Sequence, residues 1–288
     1  MGGGIILGVV FILIVASILA QWLSPTLQEW FGTTIKYSLW NRNETYLALG
    51  TLFTVWVMGL LDDYLNVRGI GRTKGLSARV KMIFLVLFAG IWAWWFYSKL
   101  WVQEISIPYF WYLPLGWWYM PLFALIVVAM ANSVNITDWL DGLAGWLLLF
   151  NYSVYAFICY HQWLLILATL CLIIAGTLIA FLWYNIKPAK FMMWDVGSLS
   201  LGATLVIMAA MTDTLIVLLI TGSIFILETL SVIIQMTSKK FRNGKKIFRI
   251  APFHHHLEAI GWAEETIVMR FWLIGILLSV AWLIVYLL

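Results

Sequence analysis

Two aspartates in succession, Asp62 and Asp63, close an apolar run in Gly59-Leu-Leu-Asp-Asp-Tyr64. Asp138 and Asp141 stand three apart in Asn135-Ile-Thr-Asp-Trp-Leu-Asp-Gly142, and Asp195 opens another apolar run in Asp195-Val-Gly-Ser198. Glu228 lies inside a run of its own. A carboxylate at the centre of a membrane helix costs about 2.5–3.5 kcal/mol and less toward the ends, so acids in such places are functional candidates. The bland alternative is that they cap helix ends at the interface, and Asp195 ahead of Val-Gly-Ser reads as an N-cap. Five acids beside basic loops suit a divalent cation and a phosphate-bearing substrate, because Mg2+ takes few carboxylates, keeps its waters and bridges phosphate oxygens. The stretches Arg68 to Lys81 and Lys239 to Arg249 carry charge for a polyanion, although topology and attraction to anionic lipid account for most of it. Gly69-Ile-Gly-Arg-Thr-Lys-Gly75 has the spacing of neither a P-loop nor a dinucleotide fingerprint. Three histidines, His254, His255 and His256, follow one another in Pro252-Phe-His-His-His-Leu-Glu258. Adjacent side chains diverge, so hydrogen bonding to a phosphate or sugar fits this tract at least as well as one metal ion held by all three.

These residues need a scaffold, and the composition says which kind. Of 288 residues, 64% are hydrophobic, 17% aromatic and 10% charged, with a mean hydropathy of +0.96. A soluble domain carries about 25% charged residues, so water-exposed globules, disordered chains and disulfide scaffolds are excluded. Cys159 and Cys171 both sit inside apolar runs and read as small buried hydrophobes. Stretches free of Asp, Glu, Lys and Arg run from Gly2 to Leu23, Thr45 to Leu61, Met82 to Ser98, Gly142 to Tyr160, Trp163 to Ile186, Val196 to Thr212 and Phe271 to Leu288. Thr214 to Ser238 is a further run interrupted by Glu228, and a Pro-punctuated aromatic stretch leads into a helix expected from near Met120 to Thr137. At roughly 20 residues per span, the prediction is an all-α, polytopic membrane protein of about nine transmembrane helices, one domain over residues 1–288.

Nine alternating spans put the ends after Leu61, Ala131, Tyr184 and Ser238 on the same side as the N-terminus. Fourteen of the 17 Lys and Arg residues fall there, against Lys36, Arg42 and Lys99 opposite. The positive-inside rule makes the first face cytoplasmic, and the candidate acids gather on it. The aromatic stretch from Trp92 to Trp118 belongs at the outer interface, where Trp and Tyr belts form.

Together these motifs resemble the phospho-N-acetylmuramoyl-pentapeptide transferases, a branch of the polyprenyl-phosphate N-acetylhexosamine-1-phosphate transferases. The matching stretches are Met1-Gly-Gly, Leu61-Asp-Asp-Tyr64, Gly75-Leu-Ser-Ala-Arg-Val-Lys81, Asn135 to Ala144, Trp183-Tyr-Asn185, Asp195-Val-Gly-Ser-Leu199, Pro252 to Glu258 and Gly261-Trp262. The triple histidine favours the muramoyl-pentapeptide branch over relatives that use N-acetylglucosamine. The resemblance implies that UDP-MurNAc-pentapeptide and undecaprenyl phosphate react, with Mg2+, to give lipid I and UMP at the cytoplasmic face of the bacterial inner membrane. It implies a homodimer and no nucleic-acid partner. It implies that Asp195 ligates Mg2+, that Asp62 and Asp63 are catalytic, with Asp62 in one role a base toward the lipid phosphate, and that Lys81 and Asn135 bind substrate. Asp138, Asp141 and Asn185 would line the nucleoside-sugar side, with His254, His255 and His256 beside the pyrophosphate. A lipid phosphate is largely ionised near pH 7, which gives the metal role more weight than the base role.

The sequence departs from the family pattern in four places. The chain opens at Met1-Gly-Gly, where the family carries one more helix, so nine of the family's ten are expected here. Trp139 and Trp194 stand where the family has glycine, and Asn66 where it commonly has lysine. Glycine in such loops permits close approach of backbone to ligand, so two indoles there would reshape or fill the pocket. The competing readings are a relative acting on a donor without the peptide, a family member with lost or altered activity, and a transporter. The last would call for paired broken helices at the bilayer midplane, whereas the acids gather at one face.

Overall fold

The computed structural model describes residues 2–31, 38–39, 43–70, 75–107 and 111–287. Of the residues singled out above, Lys36, Arg42, Arg72, Lys74 and Met1 lie outside that set. The chain runs α1 (Gly2–Trp22), α2 (Ser24–Phe31), α3 (Asn43–Arg68), α4 (Ala78–Lys99), β1 (Glu104–Ile107), β2 (Trp111–Pro114), α5 (Tyr119–Thr137), α6 (Leu143–His161) and α7 (Leu165–Asn185). It continues through α8 (Trp194–Met211), α9 (Leu215–Thr221), α10 (Ser223–Phe241), α11 (Phe253–Ala259) and α12 (Glu264–Leu287). Among the described residues, eight helices are long and apolar enough to cross a bilayer, and α9 with α10 makes a ninth. The predicted all-α membrane protein is what forms.

Two details differ from the expectation. The run from Thr214 to Ser238 is not one straight span: α9 and α10 meet at 76°. The break falls at Gly222-Ser223, the kind of small-residue pair at which helices kink, and not at Glu228. A Cβ on Gly222 would come within 2.7 Å of the Leu218 carbonyl oxygen. The Pro-punctuated aromatic stretch, for which the sequence predicts no element before Met120, holds an antiparallel hairpin in which Glu104 pairs with Pro114 and Ile107 with Trp111. In β1 only Ile105 is buried, too short an alternation to read as a strand. Trp111, Trp117 and Trp118 stay exposed, and the two last stack on each other, as an interfacial belt would. The hairpin joins the end of α4 to the start of α5, at the end of the bundle opposite the five candidate aspartates.

One helix organises the rest. α8 is buried along nearly its whole length, from Val196 to Ala210, because α1, α3 and α5 all pack on it. Apolar burial distinguishes little inside lipid, so close backbone approach through small residues has to hold such helices together. A Cβ on Gly59 of α3 would fall 2.6 Å from the Val196 Cα and 2.8 Å from the Asp195 carbonyl oxygen. A Cβ on Gly202 would meet the Ala131 Cα of α5 at 2.9 Å, and Gly3 of α1 lies directly against Gly197. The three crossings leave no room for a side chain, and the first sets where Asp62 and Asp63 stand relative to α8.

Gly59→Leu is therefore expected to lower stability by about 1–3 kcal/mol through overpacking. Gly90→Leu, at an exposed position with open space around its Cα, serves as the control. Thermal unfolding of the two purified variants in detergent checks this, and equal melting temperatures would show that the α3–α8 crossing is not tight.

Candidate active site

The site grows from the first turn of α8. A helix N-terminus presents backbone N–H groups without partners inside the helix and carries partial positive charge. Here the cap comes from other helices. Asp138, just past the end of α5, accepts the Trp194 N–H on Oδ2 at 3.0 Å, and Asp63, near the end of α3, accepts the Val196 N–H on Oδ2 at 3.0 Å. Trp194 itself adopts a φ of +62°, a conformation that costs an L-residue roughly 1–2 kcal/mol. Asp195 is thus not the N-cap that its position in sequence proposed. It lies inside the first turn, with its carboxylate bonded to side chains of α4 and α5.

That carboxylate is held from two sides. Asn135 of α5 donates through Nδ2 to Asp195 Oδ1 at 2.7 Å and to Ser198 Oγ at 2.8 Å. Lys81 of α4 donates through Nζ to Asp195 Oδ2 at 2.7 Å and to Asp62 Oδ2 at 3.1 Å. Asp62 and Asp63 are neighbours on one helix, so they point about 100° apart, Asp62 toward Lys81 and Asp63 toward the start of α8. The other oxygen of Asp62 accepts the Leu76 N–H at 2.6 Å. The stretch Gly75 to Lys81 thereby acquires a function for each part. Gly75, at a φ of +129°, sits where a Cβ would come within 3.0 Å of Asp62 Oδ1, Ser77 caps α4 by accepting the Val80 N–H, and Lys81 projects from the first turn. Carboxylate oxygens of Asp62, Asp63 and Asp195 come within 4.8 Å of one another, a separation at which one metal ion could be shared.

Asp141 and Asn185 do a different job in the polypeptide. Asn185, 1% exposed, accepts the Gly142 N–H at 3.0 Å and donates to the Phe191 carbonyl at 3.0 Å. Asp141 accepts the Ala189 N–H at 2.9 Å. The two side chains tie residues 186–193, the connection into α8, to the turn at 138–142. Beside them the structure adds residues that the sequence analysis did not single out. Lys187 bridges Glu264 at 2.7 Å and Glu265 at 2.9 Å, and these carboxylates raise its pKa. With Asp141, Met269 and Trp272 they line a cavity of about 230 Å³. The available signal was Glu264-Glu265 opening the last helix, an acidic first turn.

The histidines diverge as expected. His254 is fully buried against Glu228, with Nδ1 2.9 Å from Glu228 Oε2. His255 has Nδ1 2.5 Å from Glu258 Oε2 and stands edge-on to the Trp139 ring, with centroids 6.1 Å apart. His256 accepts the Arg249 N–H at 3.2 Å and packs between Phe248 and Phe253. Trp139, 66% exposed, therefore links the tract to Asp138 next to it in sequence. Asp138 itself is buried, and burial pushes its carboxyl well above the usual carboxylate range, against the pull of the Trp194 and Met193 N–H groups and with the charges of Asp195 and Asp63 adding to the rise.

A family model described as Glycosyl transferase family 4 matches residues 45–213, a stretch that holds the five candidate aspartates, Lys81, Asn135 and Asn185. The phospho-N-acetylmuramoyl-pentapeptide-transferase of Pelobacter propionicus is 39% identical over 280 residues, covering 91% of this chain and 75% of the relative. Those of Wolbachia from Drosophila simulans and of Geobacillus thermodenitrificans are 38% and 37% identical, over 84% and 85% of the chain and 77% and 75% of the relatives. The chain belongs to the phospho-N-acetylmuramoyl-pentapeptide transferases. Membership accounts for the order of the motifs along the chain, and the fold accounts for their meeting at one end of the bundle.

Asp138→Ala should lower stability by about 1 kcal/mol, the usual cost of losing a cap. Asp138→Asn, which has the shape of the protonated acid and keeps an acceptor for the Trp194 N–H, should cost much less. Thermal unfolding of the two variants distinguishes a capping carboxyl from one without structural weight, for which both would match the parent.

Proposed function

We propose that this chain transfers phospho-MurNAc-pentapeptide from UDP-MurNAc-pentapeptide to undecaprenyl phosphate, giving lipid I and UMP for peptidoglycan synthesis. In this reading it acts as a homodimer with its site at the cytoplasmic face of the inner membrane. The observation that carries the proposal is the juxtaposition of Asp62, Asp63 and Asp195, the first and last bridged by the Lys81 ammonium, at one end of a membrane bundle. The bias of 14 basic residues to that face supports the sidedness.

The donor set suits Mg2+. Three carboxylates supply hard oxygen ligands within mutual reach, and two of them already share one cationic group, so positive charge at their centre is stabilised. Asp195, with Asp62 and Asp63, would hold the ion, which supplies charge neutralisation to phosphate oxygens when bound. Phosphoryl transfer asks the protein mainly for positioning and electrostatic stabilisation. An oxygen of the lipid phosphate attacks the sugar-bearing phosphorus of the diphosphate, and the bond from that phosphorus to the bridging oxygen breaks, with UMP leaving. Lys81 pairs with the phosphate oxygens and keeps Asp62 and Asp195 apart by a fixed distance. Asn135 holds the Asp195 carboxylate in orientation through its bond to Oδ1. Asp62 stands as a base for a protonated lipid phosphate, a small part of the population at neutral pH. Asp138, Asp141 and Asn185 shape the nucleoside-sugar side, the latter two by fixing the connection into α8. His254, His255 and His256 lie beside the pyrophosphate. Trp139 and Trp194, at positions where the resemblance has glycine, give that side an aromatic wall of its own.

Purified protein in detergent, given both substrates and Mg2+, is expected to release UMP and form lipid I, and EDTA is expected to stop it. Asp195→Asn should abolish turnover and also the thermal stabilisation by Mg2+, which for a single site reaches about 2.7 kcal/mol at a hundred times Kd. Release that survives EDTA, or full turnover in the variant, would sink the metal assignment.

A further inference from the structure

Glu228 is the one acid of α10, and it lies within the bundle with no exposed surface. A carboxylate so placed is costly unless paired. Its partner is a single residue used twice: Glu228 Oε2 accepts the His254 backbone N–H at 3.3 Å and meets the His254 ring at Nδ1, 2.9 Å away. The His254 ring is equally buried. Glu228 Oε1 and His254 Nε2 are buried too, and neither has a hydrogen-bonding partner among the described residues. The ring nitrogen that carries the proton is set by the bond the other part of the ring makes. A carboxylate at Nδ1 keeps the proton there and leaves Nε2 as an acceptor.

The consequence reaches the rim of the site. The His254 and His255 rings lie 4.2 Å apart, and His255 meets Trp139, the neighbour of the capping Asp138. α11 is only seven residues long, and its backbone is fastened to α10 at the His254 N–H.

We propose that Glu228 is a positioning residue for the transfer: by fixing His254 to Nδ1–H and binding its backbone, it sets where the histidine tract stands beside the aspartate site. This rests on the function proposed above. Glu228 does not touch the reacting atoms, and it acts through His254.

The test compares Glu228→Met, which fills the volume but accepts nothing, with Glu228→Gln, whose amide oxygen can accept both hydrogens. Only four histidines are present, so ¹⁵N spectra of histidine-labelled protein resolve the His254 ring, assigned with His254→Gln. In Glu228→Met the His254 nitrogens should lose the Nδ1–H signature and kcat/KM should fall about 10–100-fold, by analogy with the loss when a carboxylate orienting a metal-ligating histidine is removed. The Mg2+-dependent thermal shift should stay at its parent value, because the aspartates are untouched. Glu228→Gln should recover most of both losses. Parent-like turnover or unmoved His254 nitrogens in Glu228→Met would overturn the proposal, as would Glu228→Gln behaving like Glu228→Met. Should Glu228→Met fail to fold, His254→Met removes the other partner, and parent-like turnover there overturns the proposal equally. A parent protein without transfer activity would count against the proposed function, while the nitrogen shifts still decide whether Glu228 governs His254.

Discussion

The structure depends on how the N-terminus of one buried helix is satisfied. α8 begins inside the protein, where exposed N–H groups cannot turn to water and an unmet donor costs about 1–3 kcal/mol. Carboxylates from α3 and from the end of α5 meet those donors, which brings two chain segments far apart in sequence to the same point. Once Asp63 and Asp138 are committed to α8, Asp195 is released from capping, and its carboxylate faces Asp62 across Lys81. The concentration of acids that could hold a metal ion is in this sense a by-product of capping. Glycines at the α3, α5 and α1 crossings allow it, because a longer side chain at Gly59 would separate Asp62 and Asp63 from α8.

Much of this was legible before any coordinates. Charge-free runs located the membrane helices, and their alternation placed the acids on one face. The family followed from ordered motifs. What sequence could not supply was the division of labour among the acids, because a cap can come from any helix that ends nearby. Asp195 has the local signature of an N-cap, yet the bonds go to Asp63 and Asp138, which precede α8 by many residues. The same reason hid Asn185 and Asp141 as ties for the connection between α7 and α8. Their partners are backbone groups, and backbone groups leave no mark in the sequence. The bend at Gly222 was hidden differently: hydropathy is continuous across it, and only the Gly-Ser pair betrays it.

The two tryptophans show how the same constraint shapes the site's surface. Trp194 holds a positive φ, the conformation glycine adopts at least cost, and its N–H is the donor that Asp138 accepts. The bond to a buried carboxyl offsets the strain, so the larger side chain persists where glycine would be easier. Trp139 bears no such strain, and its exposed ring meets His255 edge-on, which replaces the open rim of a glycine loop with an aromatic contact between two segments.

The histidine tract then reads as three residues with three environments. On a helix of seven residues, successive side chains diverge by about 100°, so a consecutive triple cannot converge on one point unless the backbone breaks. Here it does not break. His256 turns to Arg249 and two phenylalanines, His255 to the rim, and His254 into the bundle. The inward histidine needs a polar partner within apolar surroundings, and the bent helix α10 provides one in Glu228. The bend follows from Gly222. A straight span would carry Glu228 on a different path, so the small-residue break in the membrane and the orientation of the histidines at its edge are parts of one arrangement.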